Sequence, residues 1–366
     1  MTSMLIIADD LTGAAEIGGI ALRYNLTVDI VHRLDQGSHV RVQVLNTNTR
    51  SLRQEQVLPH LKELFSNVNR TAFDFIYLKF DSALRGHIAL ELSFYKAYFG
   101  FELAVFCPVN PAFGRIIKNG HYFVNGKRVH QTSFLNDPEF PTKESQVLAI
   151  LGTPEWKLLS DFTTINTETG VVVPEVESSV QLELLAQAIS DENLLAGGAA
   201  FFNHLLQQKL EVSPHGIGGD TGLKYPLLYV CGSGYQENND RISQVAPESL
   251  VYFDGDGGVV EEIVEKLRGK QKVVFAISTN IKGLAEEIRM AMARIVAAVY
   301  NRVGIQELII EGGATAYEVL MALGIEVMTP VQEIQAGLIK SKVRDKELFV
   351  TLKPGSYPWA NELWAF

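Results

Sequence analysis

Two acidic residues, Asp9 and Asp10, stand side by side where the apolar run Leu5-Ile6-Ile7-Ala8 ends and Leu11-Thr12-Gly13-Ala14 begins. Carboxylates so placed can orient or deprotonate a hydroxyl, or meet a cation. They lose solvation energy there unless a polyol, a cation or a hydrogen-bond donor compensates. Asp is also a good helix N-cap, because its side chain accepts from the free N–H groups of the first turn, so one of the pair can be purely structural. A second charged cluster, Lys79-Phe80-Asp81-Ser82-Ala83-Leu84-Arg85-Gly86-His87, also follows an apolar run. Lys79 and Arg85 supply cationic donors, and a guanidinium grips a carboxylate or phosphate with two bonds. Asp81 and Ser82 offer groups for hydroxyls. The alternative is a cap at Asp81 or Ser82 with Arg85 in a surface ion pair. Pro108-Val109-Asn110-Pro111-Ala112-Phe113-Gly114-Arg115 brings a further cation, Arg115, which a Pro- and Gly-rich turn could equally leave solvated. Two charged clusters at strand ends in one lobe favour a site for a small polar anion.

A different chemistry is suggested further on. Glu311-Gly312-Gly313-Ala314-Thr315-Ala316, Gly232-Ser233-Gly234 and Lys353-Pro354-Gly355-Ser356 each follow an apolar run. Glycines let backbone N–H groups approach a phosphate, and a helix N-terminus adds favourable partial charge. One such turn is most often only a tight connection, but three at strand ends favour a nucleotide phosphate site. No P-loop lysine or protein-kinase signature is present. His121 and His130 lack metal-ligand spacing, so no zinc site is expected, and no metal ligand set can be read.

The elements that must hold these residues alternate. Strands are predicted at Leu5–Ala8, Thr27–Val31, Val42–Asn46, Phe75–Phe80 and Ala104–Pro108, with helices up to about Tyr24, at Leu52–Val68 and at Ile88–Tyr98. Asn125-Gly126 between alternating residues predicts a two-residue hairpin across His121–His130. Polar and turn residues peak over Glu211–Pro226, the best linker. A second block then predicts strands at Leu227–Cys231, Leu250–Phe253, Val273–Ser278, Leu308–Ile310 and Leu348–Leu352, and helices at Val259–Leu267, Leu284–Val303 and Ala316–Leu323. The expected architecture is α/β: two lobes with largely parallel sheets flanked by helices, and a cleft between them. The first domain is expected over 1–215 and the second over 226–366.

Bulk properties agree. The 366 residues are enough for two cores, and 47% hydrophobic with 20% charged residues is a globular balance. A net charge of −10 without a long basic run argues against nucleic acid or an anionic membrane as the main partner. Cys107 and Cys231 read as separate buried thiols. The chain shows no signal peptide and no stretch of bilayer length, so a cytoplasmic location is expected.

The motifs together resemble the four-carbon acid sugar kinase family, long catalogued as a domain of unknown function. Matching stretches run in order: ADDLTGAAE at Ala8–Glu16, KFDSALRGH at Lys79–His87 and the block from Pro108 through the hairpin. NDPEFP at Asn136–Pro141, CGSG at Cys231–Gly234, EGGATA at Glu311–Ala316 and the closing TLKPGS follow, covering nearly the whole chain. The resemblance implies an N-terminal sugar-acid-binding domain, a C-terminal nucleotide-binding domain, and ATP-dependent phosphorylation of the terminal hydroxyl of threonate, erythronate or an oxo-tetronate. By motif, Asp9, Asp10, Lys79, Asp81 and Arg85 would line the acid site, with Ser82 and Arg115 as further substrate contacts. Ser233, the turn Gly312, Gly313, Ala314 and Thr315, and Gly355 would hold ATP, which Mg²⁺ should accompany. Under this reading Asp10 orients or deprotonates the hydroxyl, with Asp81 second.

Two departures stand out. The family usually carries an acid where this chain has Ala314, and it closes with a KSGGFG-like turn where this chain has Lys353-Pro354-Gly355-Ser356-Tyr357-Pro358. Pro354 removes an N–H that could meet a phosphate. A second hypothesis follows, a catalytically impaired sugar-acid-binding or regulatory protein derived from such kinases. A nicotinamide dehydrogenase ranks third, because no GxGxxG follows the first strand. The choice among four-carbon acids is not readable, and a homodimer is compatible with the sequence.

Overall fold

The computed structural model describes residues 3–35, 38–137, 139–216, 222–232, 240–255, 258–279, 281–355, 357–364 and 366. In the first half the strands are β1 (Met4–Ala8), β2 (Val28–Val31), β3 (Val42–Asn46), β4 (Phe75–Lys79) and β5 (Leu103–Cys107). A small antiparallel sheet of β6 (Arg115–Lys118), β7 (His121–Val124) and β8 (Lys127–Arg128) follows, then β9 (Lys157–Leu159), β10 (Gly170–Pro174) and β11 (Leu194–Gly197). The second half supplies β12 (Leu227–Cys231), β13 (Leu250–Phe253), β14 (Lys272–Ile277), β15 (Glu307–Glu311), β16 (Val327–Gln335), β17 (Leu338–Val343) and β18 (Phe349–Lys353). The helices are α1 (Leu11–Arg23), α2 (Gln54–Leu64), α3 (Ile88–Phe99), α4 (Val147–Leu151), α5 (Ser179–Ala188) and α6 (Ala199–Leu210). Among the described residues of the second half lie α7 (Val259–Lys270), α8 (Ala285–Val303) and α9 (Gly313–Ala322).

The architecture is mixed α/β with a large, mostly parallel sheet, but the two halves do not carry separate sheets. Fifteen strands run as β13-β14-β12-β15-β18-β17-β16-β2-β3-β1-β4-β11-β5-β10-β9. The halves join where β16 meets β2 antiparallel, through Val327↔Val31 and Met328↔Ile30. Strands β6, β9, β10, β11, β16 and β17 were not expected from the sequence. The last two form a mostly half-polar hairpin whose side chains alternate too irregularly to register as strands, because its register shifts at Pro330/Gln332 and Glu333/Gln335.

These shifts matter for the cleft. β15 and β18 run parallel, β17 and β16 reverse in turn, and β2 reverses again, so strand direction is opposite in the two halves. The two carboxyl edges can face each other only if the sheet bends between them, and bulges bend a strand pair. Helix α1 fixes the result. A Cβ on Gly18 would meet Pro330 Cγ at 2.7 Å, and one on Gly19 would meet Ile339 Cδ1 at 2.2 Å, so the helix lies directly on the bent hairpin. Arg23 at its end forks onto Glu333 with bonds of 2.5 and 2.6 Å. The predicted Asn125-Gly126 turn forms, with φ of 50° and 76°, as a mirror-type hairpin requires.

Candidate functional site

Register brings the chemistry together. Ala8 pairs with both Asn46 and Lys79, so the carboxyl ends of β3, β1 and β4 lie level. The segments after them, Thr47–Arg50, Asp9–Asp10 and Phe80–Asp81, therefore emerge side by side. Asp10 is both cap and candidate site. Its Oδ1 accepts from Gly13 N at 2.9 Å and its Oδ2 from Thr12 Oγ1 at 2.5 Å, while Arg50 Nη2 pairs with that same Oδ2.

Arg50 was not singled out in the sequence, since it sits in an ordinary polar turn. The sheet order makes it central: besides Asp10 it reaches Asp81 Oδ1 at 3.2 Å and Asp9 Oδ2 at 3.6 Å. Asp9 itself is buried, and among the described residues neither carboxylate oxygen has a hydrogen-bond donor. Burial pushes its carboxyl up, with Arg50 and Lys79 opposing. Beneath it lies Glu91 of α3, also buried, accepting from Thr49 Oγ1 at 2.9 Å. Burial, and then the Asp9 charge, push Glu91 well above the ordinary carboxylate range.

Asp81 has the opposite state. Burial would raise it, but the Arg85, Arg50 and Arg115 guanidinium groups outweigh burial and hold it well below the usual range. Arg85 forks onto both its oxygens at 2.9 Å and reaches Asp137 Oδ2 at 3.3 Å. The ion pair foreseen for Arg85 thus exists, but inside the site. Lys79 Nζ lies 3.3 Å from Glu16 Oε2, and Arg115 donates to Ser82 Oγ. Among the described residues Arg115 pairs with no carboxylate, so it is the cation of this cluster most open to an added anion. These groups line a recess of about 50 Å³ together with Asp10, Arg50 and Tyr357.

The second half presents backbone. Cys231, Glu311 and Lys353 are level in register, so Gly232, Gly312 and Pro354 emerge together. Gly312, at φ 94°, precedes α9, and the N–H groups of Gly313, Ala314 and Thr315 lie in its first turn, where no intrahelical acceptor exists. A Cβ on Gly232 would sit 2.2 Å from Thr315 Oγ1. This cradle fits a nucleotide phosphate. Ala314 brings no side-chain ligand to it, and Ser233 lies outside the described residues. Under the turn, Glu311 and Lys353 form a fully buried pair at 2.7 Å. Lys353 Nζ also donates to Pro354 O at 3.1 Å and Gly355 O at 3.5 Å. Burial pushes Glu311 up, with Lys353 opposing.

The two edges meet. A Cβ on Gly313 would lie 3.0 Å from Asp10 Oδ2 and 3.2 Å from Thr12 Oγ1. A cavity of about 460 Å³ opens there, lined by Asp10, Arg50 and Arg85 on one side and by Gly232, Gly312–Thr315, Pro354 and Gly355 on the other. Arg289 of α8 also lines it and pairs with Glu139 across the opening at 3.3 Å. Arg289, Glu16 and Tyr357 were not singled out from sequence, although Glu16 and Tyr357 lay inside quoted motifs. Among the described residues no group of three or more His, Cys, Asp and Glu could hold a metal ion, and no helix is long and apolar enough to cross a membrane.

Comparison with known proteins gives two family matches: a sugar-binding N-terminal domain over residues 4–205 and a nucleotide-binding C-terminal domain over residues 236–357. The chain is 23% identical to a 3-oxo-tetronate kinase of Brucella melitensis, over 96% of this chain and 92% of that protein. It is 27% identical to a D-threonate kinase of Salmonella typhimurium, over 63% of this chain and 57% of that protein. A solved structure from Salmonella typhimurium LT2 has the same fold at 17% identity, with a TM-score of 0.79 over 100% of this chain and 98% of that one.

Proposed function

We propose that this chain, which belongs to the four-carbon acid sugar kinase family, transfers the γ-phosphoryl group of ATP to the terminal hydroxyl of a four-carbon sugar acid of the threonate, erythronate or oxo-tetronate type. Residues 1–215 act as the acid-binding domain and 226–366 as the nucleotide-binding domain. The observation that carries this reading is the contact of Asp10 with the Gly313 turn, which places one carboxylate on both recesses at once.

In this mechanism Arg115 holds the substrate carboxylate, and Lys79, Ser82, Asp9 and Asp81 shape the recess for its hydroxyls. Asp10 orients the terminal hydroxyl and takes its proton as that oxygen bonds the γ-phosphorus and the bond from this phosphorus to the β–γ bridging oxygen breaks, releasing ADP. Asp81 is less suited, because the guanidinium groups of Arg85, Arg50 and Arg115 hold its carboxyl well below the usual range and so make it a weak base. Arg50, touching Asp10 beside the Gly313 turn, faces the charge that spreads over the transferring phosphoryl oxygens. The Gly312–Thr315 backbone and Gly355 hold the nucleotide phosphates. Mg²⁺ bound to them would supply positive charge that neutralises the phosphates during transfer.

Ala314 and Pro354 favour one other reading, a sugar-acid-binding protein without transfer activity. A coupled ATP-consumption screen against threonate, erythronate and 3-oxo-tetronate, with calorimetry of ATP and Mg²⁺, separates the two. ATP turnover with one of these acids is expected. Binding of an acid with no nucleotide binding would overturn the kinase reading.

A further inference from the structure

One side chain in the acid recess comes from the other half of the chain. Tyr357 follows β18 in the closing turn that departs from the family's glycine-rich pattern, yet it lines the recess with Glu16, Lys79, Ser82 and Arg115. Its ring is held on both sides. It stacks on Phe113 with centroids 5.7 Å apart and planes at 30°. It also lies so close to Gly337 that a Cβ there would meet Tyr357 Cε2 at 2.5 Å. Gly337 has φ 78°, so the β16–β17 turn needs glycine both for its backbone and for this contact.

The seated ring aims its hydroxyl at Glu16 Oε1, to which it donates at 3.2 Å, while Glu16 Oε2 faces Lys79 at 3.3 Å. A carboxylate has about four lone-pair positions, and a phenol oxygen can accept as well as donate. After these internal bonds, Glu16 therefore keeps acceptor capacity and Tyr357 keeps one acceptor position. Both line the recess that this proposal gives to the acid.

The geometry points to Tyr357 and Glu16 as the pair that reads the configuration of the acceptor's inner hydroxyls, so that the nucleotide-side half selects which four-carbon acid is used. This rests on the proposed function for the class of acceptor. An epimer whose hydroxyl reaches the pair keeps both groups paired. The other epimer leaves a half-buried carboxylate position without its donor.

The test compares the unmodified protein with Tyr357→Phe and Glu16→Gln. Phenylalanine keeps the ring packed on Phe113 and Gly337 and removes only the hydroxyl. Affinities for threonate and erythronate are measured by calorimetry, and KM for ATP by the coupled assay. For Tyr357→Phe the preferred epimer should bind up to about tenfold more weakly, as expected for one lost hydrogen bond. The preference between epimers should shrink by the same factor, with KM for ATP unchanged. Glu16→Gln should shift the preference in the same direction. A preference unchanged in both variants, an equal loss for both epimers, or an unmodified protein that binds neither acid overturns the inference. An unmodified protein that binds one epimer but never consumes ATP overturns only the kinase reading, because the affinity comparison still decides the role of Tyr357.

Discussion

The two faces of the cleft are built by different means. The first-half recess is made of charged side chains that neutralise one another: Arg50 among three carboxylates, Arg85 forked on Asp81, Lys79 against Glu16. The second-half rim is bare backbone at Gly232, Gly312 and Gly313, with the Glu311–Lys353 ion pair sealed underneath. Side chains discriminate by position and charge, whereas peptide N–H groups serve any phosphate. The contrast suits a site that must choose one sugar acid but accept a common phosphoryl donor. It also means that damage to the two faces should read out differently.

The largest effect is expected at the point where the faces touch. Asp10→Asn should lower turnover by about 10²- to 10⁴-fold, the range for losing a positioned general base, while asparagine still caps α1 and the melting temperature stays close to the parent's. If turnover is unchanged, Asp10 is not the base and Asp81 becomes the candidate.

Lys353→Met tests the buried support of the backbone face. It strands Glu311 and should destabilise the protein by about 3 kcal/mol. It should raise KM for ATP far more than KM for the acid, because Lys353 holds Pro354 and Gly355 through their carbonyls. The double change Lys353→Met with Glu311→Leu should recover most of the stability without restoring KM. Equal rises in both KM values would dissolve the distinction between the faces.

The smallest effect is a pH dependence carried by Glu91 on the side-chain face. Glu91 is raised in the folded state, so between about 4.5, its ordinary value, and its folded value the native protein binds more protons than the unfolded chain. Stability from this group is therefore full below that window and lost as pH rises through it. Glu91→Gln keeps an acceptor for Thr49 and removes the titration. Its melting temperature should match the parent's at pH 4 and exceed it at pH 7, by about 2 °C for each kcal/mol recovered. Superimposed profiles would show that Glu91 does not carry this burial energy.

What could be read from sequence follows from what is local. Asp9, Asp10, Lys79, Asp81, Ser82 and Arg85 lie within a few residues of their strand ends, so an apolar run followed by charge was enough to place them on one edge. The glycine turns were visible for the same reason. Arg50 and Glu91 were not, because their roles depend on which strands become neighbours of β1, and sheet order is a long-range property. Tyr357 and Arg289 were hidden more deeply, since each acts on the half of the chain to which it does not belong. The bent hairpin that brings them there has neither the alternation of a half-buried strand nor the long apolar run of a central one. The residues over Ser233 lie outside what the structure describes.

The antiparallel seam between β16 and β2 has a mechanical consequence. Two bodies on a flexible tether swing freely, but here opening the cleft must flex a hydrogen-bonded ribbon that is also clamped by α1 and the Arg23–Glu333 fork. The seam is therefore a leaf spring rather than a hinge. It ties the halves into one body, whose main apolar core runs through both of them.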